Sequence, residues 1–440
     1  MYFLQKIKNS NNLLLRGMSS TFIKGFGAIA SYLLSYLIAQ QYGAEGNGVF
    51  ALFMTYTLIL STFFYLGLDF YFVKEISSLT FNKQFDLVKT LYLSILRRYI
   101  LPLSIGIITI AIILFSFQEL RLYGLLAAAV MFNVFTDLNS AVLRGLKKVE
   151  WFSFFTQFSK YFVFILLLLP KFDSDNVQFI LILYLLSLLF NAITSFICVG
   201  FFIFKYKVNK AILKSDTYSL ASLFKISKDF LFASIIIISL VWMDFIFIDI
   251  FLDKDAAGIY SVALKIATLI SFSFTAFNAF LAPRISELFI NSKIRELQKM
   301  ITQNFMITFP LIIIPFIIIV LFKTQLLGFF GEEFTTGDNV LLWLAAGQLI
   351  NCLFGPVSLL LQMTSHQRLF QNVLIITILI KAFASVFLIK TFGLEGMAAA
   401  SFFGLALWTI VGSFYIKKKL KIYSWFDVYE FKLLLKNIKK

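Results

Sequence analysis

The stretch WMDFIFIDIFLDKDAAGIYSVALKIA, residues 242–267, sets two bulky apolar runs on either side of a short charged turn, LDKDAAG. Each run extends far enough beyond the quoted residues to cross a hydrocarbon layer about 30 Å thick, which takes roughly twenty helical residues. Three charges sit inside the runs: Asp244, Asp249 and Lys265. A soluble helix would gather such charges on a wet face. Here the neighbours are apolar on every side, so the stretch reads as a membrane hairpin that carries charges within it.

The rest of the chain repeats this pattern. Hydrophobic residues make up 60% of it and charged residues 14%, with a mean hydropathy of +0.88. Soluble domains run near half apolar and about a quarter charged. The apolar blocks are long rather than short and alternating, which excludes a β-barrel. The fold class is therefore all-α, a polytopic membrane protein with about twelve spans: 20–41, 48–71, 99–117, 122–143, 152–170, 177–204, 230–252, 257–283, 302–322, 339–364, 369–389 and 395–416. The opening residues, MYFLQKIKNSNNLLLRG, lack the short apolar region and small-residue cleavage site of a signal peptide. The first span is expected to act as its own insertion signal.

Lysine and arginine give the orientation. With a cytoplasmic amino terminus, 30 of the 39 fall in cytoplasmic segments, and the outer loops hold only Arg121, Lys171, Lys254, Lys323 and Lys390. That bias places both termini in the cytoplasm. The net charge of +16 thus reflects topology and contact with anionic lipid, and nucleic acid is not expected as a partner. The aromatic and lysine-rich tail is expected to lie along the inner surface as an interfacial helix.

The cytoplasmic loop 205–229 divides the spans into two sets of six. The expected organisation is an N-terminal lobe (1–204), a linker (205–229), a C-terminal lobe (230–416) and a basic tail (417–440), with the lobes around a central cavity. Both lobes start on the same side, as parallel repeats do. Internal similarity supports a duplication. EGNGVFALFMTYTLIL opens span two and DAAGIYSVALKIATLI opens span eight, aligning Gly48 with Gly258. SKYFVFILLLLPKF in span five resembles IKAFASVFLIKTF in span eleven, aligning Lys160 with Lys381.

Eight charges fall within the spans: Lys24, Asp69, Asp137, Lys160, Asp244, Asp249, Lys265 and Lys381. A charge at mid-bilayer costs at least about 2.5–3.5 kcal/mol on insertion scales, so each needs an account. Counting helical rise from the Asp255 turn puts Asp244 and Lys265 at one depth on neighbouring antiparallel helices. The same count brings Asp137 within a turn of Lys160. Lys24 and Asp69 lie near the inner ends of their spans, and Asp249 about a turn from the outer surface. Lys381 has no obvious acidic partner at its depth.

These charges admit two accounts. In one, Asp244 with Lys265 and Asp137 with Lys160 are structural ion pairs and the other charges are interfacial. In the other, Lys160 and Lys381 face each other across a pseudo-twofold axis and make a cationic site for an anionic head group such as a diphosphate, with Lys265 and Lys24 contributing. Asp244, Asp137, Asp69 and Asp249 then either pair with the lysines or carry a coupling ion, H⁺ or Na⁺.

Enzyme chemistry lacks its parts. There is no P-loop for ATP and no CxxC, and Cys198 and Cys352 lie in apolar segments as packing residues. His366 is the only histidine, which argues against a His-rich metal site. Glu332 and Glu333, in the longest outer loop, read as a solvated face. No enzyme activity, cofactor or metal is expected.

Several stretches resemble the polysaccharide flippases, the O-antigen transporters called Wzx, within the multidrug/oligosaccharidyl-lipid/polysaccharide exporter superfamily. QYGAEGNGVFAL (41–52) is similar to the family's first outer turn and GLDFYFVKEIS (67–77) to the end of its second helix. The opening stretch resembles its seventh and eighth helices, with Asp244 at an acidic position of the family. FLAPRISELF (280–289), LINCLFGPVSLLLQMTSHQRLF (349–370) and FGLEGMAAAS (392–401) resemble segments from helices eight to twelve. The chain departs from the family at Phe245, where arginine is common, and at Ser365, where glycine is common. Any basic role beside Asp244 then falls to Lys265 or is absent.

The resemblance implies a two-lobed transporter in the bacterial inner membrane. It implies an undecaprenyl-diphosphate-linked glycan as substrate, an O-antigen or other surface polysaccharide unit flipped to the outer leaflet by ion-coupled alternating access. Membrane lipids, a polysaccharide polymerase and a chain-length protein are the partners it implies. The competing readings are a drug/cation antiporter of the same superfamily, which needs an acidic cavity, and a membrane polymerase or ligase, which needs a large outer loop.

Overall fold

The computed structural model describes residues 2–116, 120–170, 177–208 and 220–425. Among them every regular element is a helix. In chain order these are α1 (Tyr2–Phe64), α2 (Leu68–Phe81), α3 (Phe85–Ile95), α4 (Leu101–Ser116), α5 (Arg121–Gly145), α6 (Val149–Ser153), α7 (Ser159–Leu168), α8 (Val177–Ile203), α9 (Leu220–Phe251), α10 (Lys254–Ile290), α11 (Ile294–Gly328), α12 (Asp338–Leu353), α13 (Val357–Met363) and α14 (Gln367–Leu420). Short π-helical turns, Leu96–Ile100 and Phe154–Phe158, join α3 to α4 and α6 to α7.

Nine helices among the described residues are long and apolar enough to cross a membrane, and α12 with α13 makes a tenth span bent by 42°. Two of the nine are each a pair of spans. A straight helix of 63 residues such as α1 would run about 95 Å at about 1.5 Å per residue, three times the hydrocarbon thickness. It breaks instead at Gly43, where φ is +64° and ψ −161°. The 54-residue α14 breaks at Gly393 with φ +57° and ψ −135°. Both breaks fall on the same short pattern, GAEG at 43–46 and GLEG at 393–396. Only glycine takes this conformation without a steric penalty. Dividing these two helices at their glycines gives the twelve spans expected.

The LDKDAAG turn starts α10 in the way its sequence suggests. Asp253 is the N-cap, and its side chain accepts a hydrogen bond from the Ala256 amide at 2.8 Å. Glu333 does similar work across the fold. It is exposed as expected, yet its Oε1 also accepts from the Ala44 amide at 2.6 Å, just past the Gly43 break.

The chain forms two compact units, Met1–Tyr42 with Leu52–Ile238, and Gly43–Ala51 with Ser239–Lys440. The sequence placed the division in the 205–229 loop; compaction places it inside α9 and assigns a short piece of α1 to the second unit. Helices sort by what they pack against, not by where loops fall. In the second unit, a methyl group on Gly48 would lie 1.7 Å from the Lys254 carbonyl oxygen, and one on Gly258 2.0 Å from that of Ala44. The two repeat-equivalent glycines thus let two backbones touch, as small residues do between membrane helices.

The first unit has a core of Leu68, Phe72, Ile76, Leu91, Ile95, Val134 and Val142, all buried, from α2, α3 and α5. The second is built around buried Phe245, Ile248, Tyr260, Leu341 and Met397. The tail departs from expectation. α14 ends at Leu420, and residues 421–425 fold against the second unit instead of continuing as a helix. Ile422 and Ser424 are fully buried. The Gln298 side chain clamps Tyr423 from both sides, donating to its carbonyl oxygen at 3.1 Å and accepting from its amide at 2.7 Å. Trp425 packs against Phe354 and Phe414. The basic remainder of the tail, 426–440, lies outside the described residues, as does 209–219 of the linker.

Candidate functional site

In the second unit, the buried half of α9 brings Asp244 against α10 and both spans of α14. One carboxylate oxygen, Oδ1, lies 2.7 Å from the Lys381 ammonium. The other, Oδ2, accepts from the Tyr260 hydroxyl at 2.7 Å and from the Ser401 hydroxyl. Lys381 also donates to the Leu240 carbonyl oxygen at 3.1 Å. The Lys381 and Asp244 side chains are only 4% and 5% exposed, which puts the pair out of reach of screening by water. Gly404 makes room for the lysine stem, since a methyl group there would sit 2.9 Å from Lys381 Cδ.

This arrangement corrects two expectations. Lys381 does have an acidic partner, and Asp244 pairs with Lys381 rather than with Lys265. The depth count was sound for Asp244, but two helices at one depth meet only if the right faces turn to each other. Lys265, half-buried on α10, is not among the Asp244 contacts. Asp249 is exposed near the end of α9. Tyr260 and Ser401 were missed as site residues. Their signal was present, a hydroxyl in the apolar stretches GIYSVA and MAAAS, but nothing in one chain says which hydroxyl meets which carboxylate.

The first unit arranges its charges differently. Lys160, on the first turn of α7, is 9% exposed, and its ammonium lies 5.2 Å from the centre of the Tyr161 ring. Asp137 interacts with it electrostatically, but among the described residues no carboxylate forms an ion pair with Lys160, so the expected Asp137–Lys160 pair is not made. Asp137 instead accepts from Asn133 at 3.0 Å. Asp137 and Asp69 line one cavity of about 230 Å3 together with Arg144. Lys24 is exposed. Among the described residues no group of side chains has the composition of a metal site.

Outside the spans, the turn at α10 is acidic. Burial, together with the charges of Asp253, Glu45 and Glu333, pushes the Asp255 carboxyl above the usual range.

No family model matches the sequence. Among curated proteins, the "Probable low-salt glycan biosynthesis flippase Agl15" of Haloferax volcanii is 25% identical over 217 residues, 49% of this chain and 46% of that protein. The matched region thus spans about half the length of that relative. Among solved structures, an inward-facing multidrug resistance MATE family transporter of the MOP superfamily superposes with a TM-score of 0.71 at 14% identity, over 92% of this chain and 98% of that one. A MOP superfamily transporter from Pyrococcus furiosus, described as having a binding pocket of reverse polarity, gives 0.58 at 16% identity, over 93% and 94%. At such identities the superposition establishes the fold, and the resemblance read from the sequence agrees with it. The chain is a multi-pass membrane protein with the fold of the MOP superfamily transporters it superposes on, and its sequence likeness is to a flippase.

Proposed function

We propose that this protein flips a diphosphate-linked glycan lipid, such as an undecaprenyl-diphosphate-linked surface-polysaccharide unit, from the cytoplasmic to the outer leaflet of a bacterial inner membrane. The observation that carries this reading is Lys160. A side chain only 9% exposed holds a full positive charge with no ion pair among the described residues. Such a charge is costly unless an anion visits it. A diphosphate supplies that anion, whereas a cationic drug would be repelled. The glycan flippase among the relatives supports the same substrate class.

The Asp244–Lys381 pair supplies the coupling in this reading. While Asp244 is ionised it occupies Lys381. When Asp244 takes up a proton, its hold on the ammonium weakens and Lys381 becomes available to phosphate. Proton uptake at Asp244 is then linked to substrate binding in the second unit. Both termini face the cytoplasm, in keeping with the lysine bias, and a polymerase and a chain-length protein receive the product.

The drug/cation antiporter remains a second reading because of the Asp69 and Asp137 carboxylates in the first-unit cavity, the sort of acidic lining it requires. One experiment separates the two. A strain lacking the gene is compared with the same strain carrying a plasmid copy, either wild type or Lys160→Ala. The flippase reading expects loss of surface glycan and stranded lipid-linked units, rescued by wild type and not by the variant. Intact glycan together with new sensitivity to cationic drugs would sink it.

A further inference from the structure

The first-unit cavity is not a simple acidic cluster, and it adjoins the Lys160 site through Asp137, which interacts with Lys160 electrostatically. Asp69 and Asp137 line it half-buried, Arg144 and Gln157 are exposed beside them, and Phe70 and Phe152 contribute aromatic rings. Four helical segments converge to make it: the first turn of α2, the inner half of α5, α6, and the π-helical turn Phe154–Phe158. A π turn inserts one extra residue and rotates the helix beyond it, and such turns often mark functional sites. Here the turn carries Gln157 into the cavity.

The donors and acceptors are mixed. Two carboxylates accept, a guanidinium donates up to five hydrogen bonds, and an amide does both. Asp69 Oδ1 is enclosed, and the donors beside its carboxylate are the backbone amides of its own turn, Asp69 and Phe70, which leave acceptor capacity for a hydroxyl. A bare cation fits poorly, because the Arg144 charge shares the cavity and repels it. A simple anion fits poorly beside two carboxylates. What matches is a neutral ligand with hydroxyl groups around its edge and apolar faces above and below.

We infer that this cavity binds one sugar ring of the glycan. Asp69 and Asp137 accept from ring hydroxyls, Arg144 and Gln157 donate to ring oxygens, and Phe152 or Phe70 covers a C–H face. About 230 Å3 leaves room for one ring and not for a folded oligosaccharide. This assignment rests on the flippase reading for its biological ligand, but sugar binding is testable without transport.

The test uses the full chain in vesicles, with Cys198 and Cys352 replaced by alanine and Gln157→Cys introduced at the cavity edge. Maleimide labelling of that thiol is timed in the presence of methyl glycosides of glucose, galactose, mannose and N-acetylglucosamine. At least one glycoside is expected to slow labelling, and Asp137→Asn or Phe152→Ala to raise the concentration required by about tenfold. Thr156→Cys, on the same turn, repeats the measurement should loss of the Gln157 amide itself abolish binding. Protection by sodium against choline, with none from any glycoside at either position, would assign the cavity to a cation instead, and no protection by anything would also overturn the inference. Flipping of a diphosphate-linked glycan lipid is followed separately in vesicles of the same protein. Transport without protection removes the sugar site alone. Protection without transport keeps the sugar site and removes the flippase reading.

Discussion

In the first unit the Lys160 ammonium lies over a tyrosine ring with no carboxylate paired to it, while in the second unit the Lys381 ammonium touches Asp244 at 2.7 Å. The two lysines fall at corresponding places in spans five and eleven, and both are less than a tenth exposed. The internal similarity aligns the two basic positions, and they stand in opposite electrostatic states. The difference lies in the neighbours. Span seven delivers Asp244 to Lys381, with Tyr260 and Ser401 holding the carboxylate from its other side. In the first unit Asp137 is held by Asn133 instead. A neutralised charge can be structural or a switch; on the flippase reading the unneutralised one is where the anion binds.

The largest effect that would break this contrast is on stability. Lys381→Met leaves the Asp244 carboxylate buried without its counter-charge and should cost about 3–5 kcal/mol, read as a fall in melting temperature of the purified protein. Adding Asp244→Asn should restore most of the loss. In the first unit, Lys160→Met should leave stability unchanged or raise it by up to about 2.5–3.5 kcal/mol, the insertion cost of a lone charge, and on the flippase reading it should abolish rescue of surface glycan. Equal destabilisation by the two lysine variants would erase the distinction.

Smaller changes sharpen it. Tyr260→Phe and Ser401→Ala each remove one hydroxyl donor from Asp244, at about 1.5–3 kcal/mol apiece for a bond to a charged group. A double-mutant cycle between them reads whether the donors act together. Gly404→Ala crowds the Lys381 stem and should cost about 1–3 kcal/mol as an overpacked contact, with no such effect when Lys381 is already methionine with a freer tip. The smallest effect is at the Asp255 turn. Its carboxyl is raised, so the folded state binds more protons there than the unfolded state, and stability falls as pH rises through the raised value. Lowering the pH should therefore stabilise slightly, and Asp255→Asn should flatten that slope in a melting series across pH 3–7.

Twelve spans were legible because a span is a local property: length, apolarity and a glycine or charge at the break suffice. The Asp253 turn was legible for the same reason. Partner choice was not. Lys381 precedes the Gly393 break by twelve residues and Asp244 precedes Asp255 by eleven, which puts them level, but the break that sets this count is a feature of the folded backbone. Depth gives one coordinate, and pairing needs two more, set by which helix faces meet. The cavity at Asp69 was hidden for another reason. It depends on a π turn at Phe154–Phe158, and no residue in FFTQF announces an extra residue in a helical turn. Glu333 was read correctly as exposed, but exposure did not reveal its bond to an amide 289 residues away.

The Gln298 clamp on Tyr423 bears on the order in which the protein is made. Gln298 is synthesised 125 residues before its partner, an interval of about 6–25 s at roughly 5–20 residues per second. During that time its amide and the apolar surface near Phe354 stay uncovered. The second unit closes only when Tyr423 and Trp425 have left the ribosome, so a chain stalled even shortly before them carries an open seam that quality-control proteases can read. A reporter fused after Trp425 and another fused after Leu420 should therefore differ in half-life in the cell more than in the amount synthesised.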